Sequence, residues 1–491
     1  MLFNSYVFML AFLPITLIGY YVFNRFGKYF WAKCYLLIAS LFYYAYFYVP
    51  YLPIILGSIA INYGVYLCYR KYFKNAEDKK TLTYKKALLV LALACNIGLL
   101  CYFKYFDFFI TNINAAFGAT FDLAHLILPL GISFFTFQQI AFLVDSYRGE
   151  VPHYSLMDYS LYVTFFPRLV AGPIVLHQDL IPQFADDSNK RFNSENFAKG
   201  LKMLGIGLAK KVLIADAFAR LVNWGYSSDI STLGTINAAL IVLGYTMQIY
   251  FDFSGYSDMA IGIAKMMNID LPINFNSPYK SLDIMEFWKR WHITLTRFLT
   301  KYLYFPLGGN RKGTTRTYIN IMIVFLISGL WHGSAWTFIL WGALHGVASV
   351  ITRLFKKRID KWHPAFSWLA TFAFVNVAWV YFRADTIGQG TALLKQVASM
   401  NFTPISPNAI SSFFSVEINT LLSLFHIGQF GDIVTVGLFA LAILVVLNMR
   451  NSNDRMREMK PTVGSALATA VLIVWSILSF SGVTAFVYWN F

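Results

Sequence analysis

Apolar runs of the length needed to cross a lipid bilayer recur along the whole chain and constrain its fold more than any other feature. They lie near residues 5–23, 34–49, 52–69, 87–103, 126–146, 155–175, 233–252, 318–349, 366–382, 433–449 and 465–487. Composition agrees, because 57% hydrophobic and 13% charged residues cannot form a soluble globule of this size. We therefore predict an all-α, polytopic membrane protein with about eleven transmembrane helices and shorter re-entrant or amphipathic ones.

Basic residues collect in short loops, which predicts the orientation of the chain. Lys and Arg outnumber Asp and Glu by 40 to 24. The clearest basic loops are "RKYFKNAEDKK" from Arg70, "RLFKKRIDK" from Arg353 and "RNSNDRMREMK" from Arg450, and such loops mark the cytoplasmic side. The basic residues form no extended stripe, so no nucleic-acid partner is expected. No polar interval is long enough for a soluble domain, so we expect one membrane domain over residues 1–491.

A histidine stands in the apolar run from Tyr318 to Val350, within "SGLWHGSAW". An unbroken helix over this run would measure about 50 Å, which exceeds one bilayer thickness. The small residues of "SGLWHGS" predict a break, which places His332 about 24 Å beyond Arg316 along the first half. A titratable ring at that depth needs partners or water and is a candidate for function. "GLWHG" and "GALHG" also fit the G-x-x-x-G pattern of closely packed helices.

The densest polar stretch, residues 273–313, is too charged to span a membrane. Its middle predicts one amphipathic helix from about Leu282, with Arg290, Arg297 and Lys301 on one face and His292 on another. A basic face of this kind suits phosphates or lipid head groups.

Two further polar features flank that helix. "PLGGNRKG" predicts a glycine-rich turn in which Arg311 and Lys312 accompany backbone N–H groups able to hold a phosphate. Upstream, "YFDFSGYSDMAIGIAKMM" carries Asp252 and Asp258, buried acids that either hold a catalytic histidine or loop or, more commonly, cap a helix or pair with Lys and Arg.

These stretches together resemble a known family. "DFSGYSDMAIGIA", "NFNSPY", "FWKRWHITLTRFLTKYLYFPLGGNRKG" and "GLWHGSAWTFILWGALHG" are similar to those of bacterial membrane-bound O-acyltransferases of the alginate O-acetylase and peptidoglycan O-acetyltransferase type. Further similarity lies in "LPLGISFFTFQQIAFLVDSYRG", "FFPRLVAGPI" and "WVYFRADTIGQGTALLK", so the resemblance covers roughly residues 1–396. Residues 397–491 show only the apolar character of C-terminal transmembrane helices.

The resemblance implies a ring of helices around a thin centre, with a cytoplasmic tunnel for an acyl donor and an opposite funnel for the acceptor. It assigns catalysis to the histidines of "WHG" and "RWH", His332 and His292. The implied reaction carries an acyl group, most simply acetyl, from acetyl-coenzyme A or another thioester co-substrate to a hydroxyl. A histidine, with an ordinary pKa of about 6.5, can act as the base that this attack needs, and His332 is the candidate. Neither a bound cofactor nor a metal site is expected.

The same stretches supply candidates for contacts with the donor and the substrate. They are Arg297, Lys301, Arg311, Lys312, Trp331, Trp288, Asp252 and His345. Similar systems imply a separate extracytoplasmic SGNH-type partner protein, an exported polysaccharide or cell-wall glycan as acceptor, and a place among the lipids of a bacterial inner membrane.

A glycan-precursor transporter or flippase is the main alternative, because broken helices and mid-membrane polar groups occur there too. A haem shared by His332 and His345 is disfavoured, since their separation corresponds to about 20 Å along a continuous helix. A zinc site is disfavoured because no H-E-x-x-H motif or cysteine cluster accompanies the histidines. Alginate, peptidoglycan, cellulose and teichoic acid all stay open as acceptors.

Overall fold

The computed structural model describes residues 1–73, 78–170, 172–414, 420, 424, 430–460 and 462–482. This part of the chain is helical and contains no strand, which confirms the all-α class. The first twelve α-helices are α1 Leu13–Arg25, α2 Tyr29–Ala45, α3 Leu52–Tyr72, α4 Lys79–Leu100, α5 Phe106–Phe117, α6 Ile132–Arg148, α7 Leu156–Thr164, α8 Phe166–Leu169, α9 His177–Ala185, α10 Ser194–Leu208, α11 Asp216–Ser227 and α12 Thr235–Met266. The others are α13 Ile284–Arg290, α14 Ile293–Leu299, α15 Thr314–His332, α16 Trp336–Leu354, α17 Lys356–Ile359, α18 Pro364–Arg383, α19 Ile387–Ala398, α20 Pro407–Phe413, α21 Gly431–Asn448, α22 Ser452–Arg457 and α23 Val463–Leu478.

Within the described ranges, 7 helices are long and apolar enough to cross a membrane, which makes this a multi-pass membrane protein. They are Val7–Arg25, Val49–Tyr72, Lys79–Phe117, Thr235–Met266, Trp336–Leu354, Pro364–Arg383 and Gly431–Asn448.

Several of the other predicted spans are shorter or broken. Helix α2 has only 17 residues, and the run 126–146 becomes helical only at Ile132. The run 155–175 is interrupted at Phe165, close to Pro167, because the proline ring and its missing N–H disfavour a continuous helix there. The predicted span 465–487 extends beyond the residues that the structure describes.

Helix α12 forms the interior of the fold. In the apolar stretch of α12, 83% of the residues are buried, whereas 17% are buried in the apolar stretch of Lys79–Phe117, which contains α4. A helix that is apolar on every side is expected to be surrounded by other helices. The outer helices instead carry many exposed apolar side chains, such as Leu91 on α4 and Ile351 on α16, as a lipid-facing surface requires.

The apolar run with the histidine folds into a hairpin of α15 and α16. Helix α15 ends at His332, and residues 333–335 turn the chain into α16, so the predicted break is confirmed. The two helices touch through glycines, because a Cβ on Gly329 would lie 2.3 Å from the carbonyl oxygen of Phe338. A Cβ on Gly342 would lie 2.4 Å from that of Phe325. The hairpin thus depends on two positions that exclude any side chain.

Wider π-helical turns interrupt the helical path at four places in the described chain, and three of them carry lysines whose amines contact other parts of the protein. These three are Cys101–Tyr105, Ala209–Ala215 and Thr300–Tyr304. A π turn adds one residue to a helical turn and so redirects the side chains that follow it. Lys104, Lys211 and Lys301 therefore reach polar groups of neighbouring helices.

Candidate active site

The structure brings His332 and His292 together in the interior. Their ring centroids lie 6.4 Å apart, and the two residues are 2% and 0% exposed. The Trp331 ring contacts both histidines, with its centroid 6.1 Å from that of His292 and 4.9 Å from that of His332. Residues forty positions apart in the chain thus form one buried pair.

A local distortion places His292. The predicted amphipathic helix from Leu282 is wrong in one respect, since α13 ends at Arg290 and α14 begins at Ile293, with His292 at φ +45° between them. That left-handed conformation is unfavourable for any residue but glycine and is common at functional sites. It is held from both sides, because the N–H of Asn276 donates to the carbonyl of Arg290 and the N–H of Ile293 to that of Asn274.

The side chain of Asn274 fixes the proton on the His292 ring. Its Oδ1 accepts hydrogen bonds from the backbone N–H and the hydroxyl of Thr294, at 3.3 and 3.0 Å. The same oxygen lies 3.1 Å from Nδ1 of His292, so Nδ1 carries the proton and Nε2 the lone pair. Burial lowers the pKa of the His292 ring well below its ordinary value, which keeps the ring neutral.

His332 has the same proton arrangement. Its Nδ1 lies 2.6 Å from the carbonyl oxygen of Ser328, one turn earlier on α15. A carbonyl oxygen only accepts, so Nδ1 donates and Nε2 of the neutral ring carries the lone pair. Indole and phenyl rings enclose the imidazole, with Trp341 at 4.9 Å and Phe382 at 5.4 Å between centroids. The ring is therefore directed to the protein interior and is available in the form of a base.

A buried lysine holds the end of the helix that carries His332. The amine of Lys104 donates to the carbonyl of Trp331 at 2.5 Å and contacts that of His332 at 3.4 Å. The hydroxyl of Tyr105 donates to the carbonyl of Leu330 at 2.7 Å. The last carbonyls of a helix have no partners within the helix and attract cations. Sequence reasoning missed Lys104, although a single lysine within an apolar run was a signal that could have found it.

A cavity of about 300 Å³ opens next to this helix end. Its lining includes Lys104, Asp107, Leu128, Gly333, Ser334 and Phe338. Both α15 and α16 have basic residues at the ends remote from the cavity, and the positive-inside rule assigns those ends to the cytoplasm. The cavity therefore lies toward the opposite side and reaches Gly333, the residue next to His332.

The two other aromatic and histidine candidates form a second layer. Trp288 donates from its indole N–H to Nδ1 of His345 at 3.2 Å. The Trp341 ring separates His345 from His332, with centroids 4.9 Å from each. His345 is thus adjacent to the pair without joining it, and its indole partner is Trp288, whereas Trp331 contacts both catalytic candidates.

Several buried polar atoms around the pair have no hydrogen-bond partner among the described residues. They are Nε2 of His292, Nδ2 of Asn274, Nε1 of Trp341 and Nε2 of His345. Buried polar atoms are nearly always satisfied by protein, water or ligand. Their concentration here indicates a site that receives water or a polar substrate.

Two of the four basic candidates for donor binding, Arg297 and Lys301, already form ion pairs. Arg297 pairs with Asp179 at 2.5 Å, and Lys301 pairs with Asp145 and Glu150 at 3.0 and 3.3 Å. The single basic face predicted for Arg290, Arg297 and Lys301 is therefore occupied by ion pairs, since Arg290 binds Glu286 as well.

Arg311 and Lys312 are exposed in the predicted turn, where Gly308 and Gly309 adopt positive φ. Their position before α15 leaves Lys312 about 30 Å along that helix from His332. The role of all four residues in donor binding stays a prediction.

Asp252 belongs to a buried ion network on α12. Lys211 lies 2.7 Å from Asp252 and 2.9 Å from Asp216, and all three side chains are at most 4% exposed. Lys210 pairs with Asp258 at 2.7 Å. The ordinary alternative that the sequence left open, pairing with lysine, is the arrangement found.

Replacing Lys211 by methionine is expected to destabilise the protein by about 3–5 kcal/mol, because two buried carboxylates lose their counter-charge. The midpoint of unfolding in detergent measures this change. Arg450→Met is the matched control, since Arg450 and Glu458 form an exposed pair worth at most about 1 kcal/mol. Equal effects of the two substitutions would contradict the network's structural role.

Arg168, in the "FFPRLVAGPI" stretch, is a second cation that sequence reasoning did not single out. It is 0% exposed, and none of its three side-chain nitrogens has a hydrogen-bond acceptor in the described part of the chain. Its guanidinium lies 4.8 Å from the ring centroid of Tyr162. A cation–π contact of this kind offsets about 2 kcal/mol of a desolvation cost of several kcal/mol.

Arg168→Met is therefore expected to leave the unfolding temperature unchanged or to raise it, because the substitution removes a buried charge that lacks an acceptor. Thermal unfolding of the purified protein measures this. The reverse outcome, a loss of several degrees, would show that an acceptor holds the guanidinium in solution.

Comparison with known proteins places these observations in a family. The model of MBOAT, the membrane-bound O-acyltransferase family, matches residues 132–387. A peptidoglycan O-acetyltransferase of Helicobacter pylori is 46% identical over 431 residues, which cover 82% of this chain and 80% of that protein. A probable alginate O-acetylase AlgI of Pseudomonas aeruginosa is 37% identical over 86% of this chain and 79% of its own length.

A teichoic acid D-alanyltransferase of Bacillus subtilis is more distant, at 30% identity over 51% of this chain and 66% of its own length. The region that the family model matches, residues 132–387, includes both histidines, Asn274 and the whole of the α15–α16 hairpin. The family model spans half of the chain, and relatives well above 30% identity extend over most of it. The chain therefore belongs to the membrane-bound O-acyltransferase family.

Proposed function

We propose that this protein transfers acetyl groups from acetyl-coenzyme A, on the cytoplasmic side, for the O-acetylation of a cell-wall glycan or an exported polysaccharide. The observation that carries the proposal is the buried His292–His332 pair, in which both rings present a lone pair at Nε2. The relatives named for O-acetylation of peptidoglycan and alginate support acetyl as the group transferred. Membership of an acyltransferase family favours transfer over the alternative of a glycan transporter or flippase.

The chemical step needs a base at the acceptor hydroxyl. In the proposed reaction Nε2 of His332 takes the hydroxyl proton as the oxygen attacks the thioester carbonyl carbon. The tetrahedral intermediate then expels the thiolate, which receives that proton from the imidazolium. An ester and a free thiol result, and His332 returns to its neutral form.

His292 has a different part in this proposal. Its Nδ1 proton is held by Asn274, so the neutral ring offers only an acceptor at Nε2. It therefore orients a hydroxyl or amide N–H of one substrate and cannot polarise the thioester carbonyl as a donor. The aromatic rings around both histidines separate them from bulk water, which limits hydrolysis of the donor.

The acceptor is proposed to approach through the cavity at Gly333. A glycan outside the cell is too large to reach a buried imidazole directly, and this cavity of about 300 Å³ admits at most a small portion of it. We therefore retain an extracytoplasmic SGNH-type partner that takes the acyl group from this protein and passes it to the glycan. We propose a bacterial inner membrane as the location, because a protein there meets coenzyme A on its cytoplasmic side and the glycan on its outer side.

Purified protein in nanodiscs, given labelled acetyl-coenzyme A and a soluble peptidoglycan or alginate oligosaccharide, tests the proposal. Label in the oligosaccharide or on an added partner protein is the expected result. Equilibrium binding of the oligosaccharide without any consumption of the thioester would instead favour a transporter.

A further inference from the structure

A second cavity, on the side opposite to the one at Gly333, has a basic lining. It measures about 350 Å³ and is lined by Lys199, Lys265, Asp270, Ile273, Asn453 and Arg457, with apolar side chains completing it. Three cations and one carboxylate leave an excess of positive charge. Arg457 belongs to the basic segment that begins at Arg450, which the positive-inside rule assigns to the cytoplasm.

The existing ion pairs in this basic cavity are easily exchanged. Lys265 lies 2.8 Å from Asp270 and Lys199 lies 2.6 Å from Glu195, but these carboxylates are 70% and 66% exposed. Exposed pairs contribute at most about 1 kcal/mol, so an anion with several oxygens can replace them. Arg457 is exposed at the cavity and adds a planar guanidinium suited to phosphate.

The basic cavity is linked to the histidine pair by two stretches of chain. Ile273 lines it, and the next residue, Asn274, holds the His292 ring. On α12, Phe253 packs on His292 with ring centroids 4.8 Å apart, and Lys265 follows 12 residues later, about 18 Å along the helix. A ligand with its charged end in the basic cavity therefore needs a long, thin, uncharged arm to reach His292.

We infer that the basic cavity binds the phosphate groups of a coenzyme A thioester, whose pantetheine arm carries the acyl group to the histidines. This assignment rests on the proposed function and locates its donor site. It differs from the sequence-based candidates, because Arg297 and Lys301 are already paired with Asp179, Asp145 and Glu150. A cavity of this volume is of the size that holds part of a nucleotide.

The test compares acetyl-coenzyme A with acetyl-pantetheine, which lacks the nucleotide and its phosphates, in nanodiscs of neutral phosphatidylcholine. The double variant Lys265→Ala, Arg457→Ala is expected to raise the KM for acetyl-coenzyme A about tenfold, because charge-assisted hydrogen bonds are lost from a partly solvated site. The kcat and the KM for acetyl-pantetheine are expected to stay within about twofold of the wild type. Lys357→Ala, Arg358→Ala removes the same charges from the exposed basic helix α17 and serves as the matched control.

An unchanged KM for acetyl-coenzyme A in the cavity variant, with normal turnover, would overturn the cavity assignment alone. Equal losses with both thioesters in folded protein would also overturn it, since a phosphate site affects only the thioester that carries the phosphates. Failure of the wild type to use either thioester would refute the proposed function and the cavity assignment with it. A KM difference that appears only when anionic phosphatidylglycerol is present would show that the cavity holds a lipid head group instead.

Discussion

Replacing His332 by alanine is expected to lower the rate of acyl transfer by about 10²–10⁴-fold, the contribution of a positioned general base. The imidazole is the group whose lone pair at Nε2 is fixed by the bond from Nδ1 to Ser328. Its ring centroid lies 6.4 Å from that of His292. Transfer from labelled acetyl-coenzyme A, measured at saturating donor, gives the effect on kcat.

Controls for this prediction separate chemistry from folding. His332→Gln preserves most of the side-chain volume among the surrounding aromatic rings and is expected to be as inactive as the alanine variant. His153→Ala removes an exposed histidine and is expected to retain full activity. Normal size-exclusion profiles for all three variants would show that the fold persists. Residual transfer near the wild-type level in both His332 variants would end the assignment of this residue as the base.

Lys104→Met is expected to reduce kcat by about 10- to 100-fold, although Lys104 is a positioning residue and not a base. The amine donates to the carbonyl of Trp331 and contacts that of His332, so its removal takes this donor away from the end of α15. A displacement of the imidazole by about 1 Å is enough for a loss of this size. The KM for the donor is expected to change little, because Lys104 lines the cavity at Gly333, through which the acceptor and not the donor is proposed to approach.

Two further variants make the Lys104 prediction specific. Tyr105→Phe removes one neutral hydrogen bond, to Leu330, and is expected to reduce kcat by less than about tenfold. Lys104→Arg keeps a cation at the helix end and is expected to recover part of the activity lost in Lys104→Met. A fall in the amount of folded protein with no change in kcat of the remainder would indicate that Lys104 serves stability only.

The fold class could be predicted because strong local signals carry it, whereas His292 was selected as the companion of His332 by the resemblance to a known family. Long apolar runs leave few structures available in lipid, and the hairpin break followed from a run too long for one bilayer. The wider helical turns could not be foreseen, since a π turn depends on neighbours that are distant in the sequence. For the same reason the inward reach of Lys104 and Lys211 was visible only in the structure.

The amphipathic helix shows why periodicity alone misleads around a site. Spacing placed Arg290, Arg297 and Lys301 on one face, but the chain leaves the helix at His292 with a positive φ. That conformation is stabilised by Asn274, which lies before the helix and has no periodic relation to it. The partners of Arg297 and Lys301 likewise come from other helices, so sequence spacing could not reveal that these charges are already paired.

One buried imidazole is expected to connect a donor on the cytoplasmic side with an acceptor on the other side. Proteoliposomes with a known orientation test this arrangement, with labelled acetyl-coenzyme A supplied only at the cytoplasmic face and the acceptor present only at the opposite face. Label is predicted to reach the enclosed acceptor with wild-type protein and not with His332→Ala. Equal labelling by both proteins, or labelling only when donor and acceptor share one side, would contradict the account.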